Sequence, residues 1–211
     1  MSGRTPEETR AFAESAVDAF YDAISEGESR EMRELPKRIS NMNTRASVKL
    51  RQINVAADEV FRHAEGRAAC ARGCAHCCHV ALPITSAEAR FIGEQIGIQP
   101  KDVVNSPRRS KQSFSTGTPC PFLKNGECSI YESRPLLCRT HFNFDRDNYW
   151  CRYENWDAPG ASIPKPVIPQ LQDACRIAVG QRPADSVVAD IRDYFPDGLS
   201  RTGSNNESSF R

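Results

Sequence analysis

Cysteines at 70, 74, 77 and 78 crowd the nine residues CARGCAHCC, and three more follow at 120, 128 and 138. Thiolates are soft ligands, and gaps of three and two residues between Cys70, Cys74 and Cys77 let several sulfurs reach one centre without prior long-range folding. The competing reading is that these are small buried residues, but Arg72, Gly73 and His76 among them are poor core formers. Cys77 and Cys78 are chain neighbours whose side chains ordinarily diverge, so placing both in one tetrahedral shell is awkward. That suggests two metals or a bridging thiolate, or else a supporting or core role for Cys78. His76 and His79 are further candidates, as ligands or as hydrogen-bond donors near a ligand.

The second set is carried by CPFLKNGECSIYESRPLLCR, residues 120–139. Asn125-Gly126 between two short strand-like runs predicts a hairpin with a two-residue turn, which sets Cys128 opposite Leu123. Cys120 then precedes the ladder, because Pro121 cannot donate within a strand. Ser133-Arg134-Pro135 reads as a helix start that places Cys138 in the first turn, where backbone N–H groups help hold a thiolate. A thiolate cluster around a divalent ion is net negative, so Arg134 and Arg139 are assigned to offset its charge and donate to sulfur. Cys175 lies four residues from both Leu171 and Val179 and reads as a small buried hydrophobe. Cys151 and His141 are left open between ligand and bystander.

These cysteines must be positioned by helices. Thr5-Pro6-Glu7-Glu8 is a helix start, with Phe12, Ala16, Phe20 and Ile24 as its apolar stripe and an end near Gly27. From Leu35 to Ala64 the apolar residues recur at steps of three and four, predicting one long helix or two in line, with a solvated basic face. A third helix runs from Ser86 to Gly97, residues 100–118 read as a polar loop, and 164–180 as a further helix. Phe142, Phe144, Tyr149, Trp150, Tyr153 and Trp156 could stack on bases, but Asp145, Asp147, Glu154 and Asp157 among them repel phosphates, so shielding of a metal is the better reading.

Bulk properties narrow the function further. The 28 basic and 27 acidic residues nearly cancel, which gives no reason to expect nucleic acid or an anionic membrane as partner. The first 30 residues lack a secretory apolar region, so a reducing cytoplasmic setting is expected, in which nine cysteines do not form a disulfide framework. No phosphate-cradling loop, serine triad or paired-carboxylate motif is present.

The four-cysteine knot followed by Cys-Pro-Phe-Leu, a glycine turn, Cys-x-Ile-Tyr and Arg-Pro-x-x-Cys-Arg resembles the zinc- or iron-chelating CxxCxxCC family, often called YkgJ-like, over roughly residues 70–142. The first gap here is three residues where the family's name has two. The resemblance implies metal binding by Cys70, Cys74, Cys77, Cys78, Cys120, Cys128 and Cys138, and a related module occurs in flagellin lysine N-methylase.

The expectation is a mainly α fold with a small β-hairpin around a loop-rich, metal-organised cysteine core. Residues 1–66 form a helical region packed on a cysteine domain at 67–197, and 198–211 a disordered tail. The function expected is zinc or iron binding, an iron–sulfur cluster included, with an iron–sulfur oxidoreductase or a methyltransferase-related protein-modifying role as alternatives. The partners expected are the metal ion and, for those alternatives, a protein.

Overall fold

The computed structural model describes residues 5–71, 73–104, 118–152, 155, 164–180 and 186–199. Helix α1 spans Pro6–Asp22, and the predicted capping box is present: Glu8 N donates to Thr5 Oγ1 at 3.1 Å and Thr5 N to Glu8 Oε2 at 2.8 Å. Its buried residues are Thr9, Ala13, Val17 and Phe20, and of the expected stripe Phe20 is buried, Ala16 and Ile24 pack partly against the core, and Phe12 stays outside it. Phe12 instead lies under the Arg146 guanidinium, 4.4 Å from its ring centre.

The next helix begins earlier than periodicity suggests. Ser25 and Glu28 form a second capping box, so α2 runs Glu26–Asn41 and carries Gly27 in its first turn instead of losing the chain there. Two satisfied end groups offset glycine's poor propensity. Pro36 sits inside α2 and removes one backbone bond, which burial of Met32, Leu35 and Ile39 outweighs. After residues 42–45, α3 covers Ala46–Phe61, which resolves the long periodic run into two helices. Helix α4, Ser86–Ile96, ends at Gly97 in the left-handed conformation, as expected.

Later come the short α5, Leu136–Thr140, then α6, Pro169–Val179, and a single turn α7, Ile191–Tyr194. Helix α6 packs on α2 and α3, while α3 also meets α4 and α5. Together they bury one core around Phe20, Leu35, Ile39, Ile53, Phe144 and Leu171. Phe144 is fully buried there and Phe142 stacks on Phe61, so these two aromatics serve the helical core. Tyr153 and Trp156 lie outside the described residues, as do 105–117 of the expected polar loop and the tail from 200 onward.

The chain is mainly α with small β elements. The hairpin pairs β2, Leu123–Lys124, with β3, Glu127–Cys128, in the predicted register of Leu123 opposite Cys128. A second antiparallel pair, β1 at Pro83–Thr85 with β4 at Val188–Asp190, was not legible beforehand. Three-residue strands a hundred residues apart carry no periodic signal. A second apolar cluster, including Ile84, Ile92, Phe122, Ile191 and Phe195, lies under these two sheets.

Asn125 and Gly126 both have positive φ, 52° and 79°, as a two-residue turn of this type requires. Gly126→Ala is expected to lower the unfolding free energy by about 1–2 kcal/mol through left-handed strain alone. Denaturant unfolding of the variant is the check, since no atom stands within 4 Å of an added Cβ.

Candidate metal centre

The sulfurs fall into two groups that the chain assembles from four separate stretches. In the first, Asn143 acts as the hub. Its N–H donates to Cys70 Sγ at 3.3 Å, and its side-chain Nδ2 donates to Cys151 Sγ at 3.3 Å and to Asp147 O at 2.9 Å. Ala69 N returns a bond to Asn143 O at 2.8 Å, so the start of the cysteine knot is laced to the strip after α5. Cys74 lies close enough that its charge bears on both Cys70 and Cys151. Lys165, just ahead of α6, lies on the same side and favours the thiolates of Cys70, Cys77 and Cys151.

The second group is Cys77, Cys78, Cys120, Cys128 and Cys138. Cys77 and Cys78 occupy a 3-10 turn, His76–His79, and their sulfurs share a hydrogen bond. The Cys78 carbonyl accepts the Cys120 N–H at 2.7 Å, which brings the knot against the hairpin entry. Cys120 precedes the ladder and Cys128 ends it, as predicted. Each has its sulfur bonded by the N–H two residues on, from Phe122 and Ile130, a local dipole that favours the thiolate. Cys138 lies in the first turn of α5. Cys78, Cys128 and Cys138 pack against the second apolar cluster, whereas Cys175 packs against the first and stands apart from both groups.

Burial and like charge set the proton balance. Cys120 and Cys151 are each pushed up to about 11, chiefly by burial. Burial likewise raises Cys70, Cys128 and, more strongly, Cys138, where the neighbouring Cys77, Cys120 and Cys128 add to it. The hydrogen bond within the Cys77–Cys78 pair takes Cys77 down to about 7 and Cys78 far above the ordinary thiol range. Without a cation the second group therefore holds most of its protons, and Cys77 is the readiest of its thiols to ionise.

The two arginines assigned from sequence diverge. Arg134 lies over the Tyr131 ring at 3.5 Å and near enough to Cys77, Cys128 and Cys138 to favour their thiolates. Arg139 is buried, and its donors go to Arg134 O at 2.8 Å, to Glu132 O and to the Asp58 carboxylate on α3. It braces the loop from behind rather than reaching a sulfur. Asn143 and Lys165 are the residues sequence reasoning missed, while Cys151, open between ligand and bystander from sequence, lies with the first group. Asn143 offered no motif, and only its place two residues after His141 in a strip leading to Cys151 could have drawn attention.

Residues 69–154 match the family described as CxxCxxCC, a putative zinc- or iron-chelating domain. The segment thus resembles a CxxCxxCC domain over less than half of the chain. Comparison with curated proteins and with solved structures gives no match. The CxxCxxCC domain contains both sulfur groups, Cys151 included. Its donor set fits a soft or borderline ion, since thiols supply every clustered position. Among the described residues, no three His, Cys, Asp or Glu side chains already stand in a ligating arrangement, so the thiols are gathered rather than closed. Among the same residues no helix is long and apolar enough to cross a membrane.

His141, half-buried beside the domain's first sulfur group, has Nε2 3.3 Å from Lys165 Nζ. Burial, with Lys165 adding to it, lowers its pKa to about 4. The folded form therefore binds its proton less readily than the unfolded chain does. Stability from this residue is intact above about pH 6.5 and is lost as pH falls toward 4. In an acid titration of the metal-free chain, His141→Gln is expected to flatten that part of the stability profile.

Proposed function

We propose that this protein is a zinc- or iron-binding protein whose CxxCxxCC domain holds its metal through Cys70, Cys74, Cys77, Cys78, Cys120, Cys128 and Cys138, with Cys151 joining Cys70 and Cys74. The observation that carries this reading is selective gathering. Eight cysteines from four chain stretches lie in two adjoining groups, while the ninth, Cys175, packs in the helical core. Clustered thiols, Cys120 buried and most of the others partly so, repel one another once ionised, so their assembly is unfavourable unless a cation neutralises them. Cys77, which bears on members of both groups, makes two neighbouring ions or one larger cluster the natural arrangement.

Arg134 and Lys165, one beside each group, supply the positive charge that a thiolate-rich centre needs from its surroundings. Both zinc and iron suit this donor set, and the metal would supply a fixed positive centre for the thiolates. The test is zinc, iron and acid-labile sulfide per chain, on protein purified without oxygen and without an affinity metal. One or two zinc ions per chain supports a structural or carrier centre, and iron with matching sulfide an iron–sulfur centre. A metal-free chain that is fully folded and takes up neither metal overturns the proposal.

A further inference from the structure

Arg192 lies on α7, beyond residue 154 and hence outside the CxxCxxCC domain, yet its guanidinium reaches the middle of it. The side chain is 4% exposed and paired with Asp190 at 2.9 Å, itself 7% exposed. Nη2 donates to Cys78 O at 2.9 Å and Nη1 to Val80 O at 3.2 Å. On the other edge, Nε donates to Thr118 O at 2.8 Å and more weakly to Pro119 O at 3.3 Å.

One planar fork thus grips the chain at Cys78 and again at the entry to Cys120, forty residues later. Several further contacts seat that fork. Asp190 Oδ2 accepts Leu82 N at 3.0 Å, Ile191 N donates to Leu82 O at 3.0 Å, and β4 pairs with β1. Gly198 completes the clasp with φ at +58°: a Cβ there would stand 2.2 Å from the carbonyl oxygen of Pro121, the residue after Cys120. The Cys78 carbonyl accepts from both Cys120 N and Arg192, so the arginine acts on the junction that sets the two cysteines side by side.

We propose that Arg192 is a positioning residue for the metal centre: by bonding the backbone on both sides of the Cys78–Cys120 junction it fixes the separation of these two sulfurs, and so metal affinity is controlled from outside the CxxCxxCC domain. The inference rests on the reading of those cysteines as metal ligands. A lysine keeps the charge but cannot span the two edges, because its single nitrogen lacks the planar set of donors.

The test is Co(II) titration of the metal-free full chain under anaerobic conditions, read by absorption and by competition with a chelator. The variants are Arg192→Lys and a core variant, Ile53→Val or Leu35→Ala, whichever matches its loss of Tm. Arg192→Lys is expected to weaken Co(II) binding roughly ten- to a hundredfold and to change the thiolate-to-cobalt bands. The core variant is expected to bind as the wild type does, because Ile53 and Leu35 lie in the helical core.

Wild-type affinity and spectrum in Arg192→Lys overturn the proposal, and so does an equal loss in the core variant. Should Arg192→Lys fail to fold, Asp190→Asn is measured instead. It leaves the guanidinium in place without its orienting carboxylate, and a weaker loss in the same direction is expected; unchanged binding overturns the proposal. A wild-type chain that takes up no Co(II) overturns the metal reading itself and this inference with it. Uptake by the wild type with no effect of Arg192→Lys removes only the role of Arg192.

Discussion

Replacing Cys77 by alanine is expected to lower metal affinity by more than the roughly ten- to hundredfold that loss of an outer partner costs. Its sulfur bears on Cys70 in one group and on Cys78, Cys128 and Cys138 in the other, so its removal weakens both. Cys78 would also lose the partner that holds its proton in place. Metal per chain and affinity by chelator competition measure the effect, with Cys175→Ala as a control that keeps its metal. Metal retained at wild-type affinity in Cys77→Ala would remove Cys77 from the ligand set.

The second large effect is in pH. Ligand thiols must give up their protons to bind a metal, and here Cys120 is held near 11 while Cys128 and Cys138 are raised by burial. Each of these that binds releases a whole proton at neutral pH. Cys77, near 7, is already partly ionised and releases only a fraction. Uptake of one ion by Cys77, Cys120, Cys128 and Cys138 is therefore expected to release between about three and four protons at neutral pH, and the logarithm of affinity to climb by about four per pH unit below the thiol range. The sign is fixed: affinity falls with acid and rises with base. Proton release measured in two buffers of different ionisation enthalpy checks the count, and a value near zero would exclude thiol ligation.

What could be read beforehand followed the range of the physics. The hairpin register, the place of Cys120 ahead of it and of Cys138 in a first helical turn came from turn chemistry and proline geometry, which act within a few residues. Gly27 reads as a stop for α1, but the Ser25–Glu28 capping box already starts α2 there, and α1 ends at Asp22. The pairing of β1 with β4 and the placement of Cys151 beside Cys70 depend on contacts across large chain separations, here through Asn143. A single asparagine has no pattern that announces such a task. Arg139 had a visible position, but its pairing with Asp58 follows from the packing of α3 on α5.

That ion pair also bears on modularity. Asp58 belongs to α3, before the matched segment begins, and it neutralises a guanidinium that is 4% exposed inside that segment. Excising residues 69–154 would strip Arg139 of this partner and of the α3 face that covers it, and would uncover Leu136 and Phe144, which share their core with α3. The matched segment and a unit able to fold by itself are therefore expected to have different boundaries in this chain. A recombinant fragment cut to the former would be expected to come out poorly soluble, and a host sequence receiving it as a graft would need to provide a carboxylate of its own.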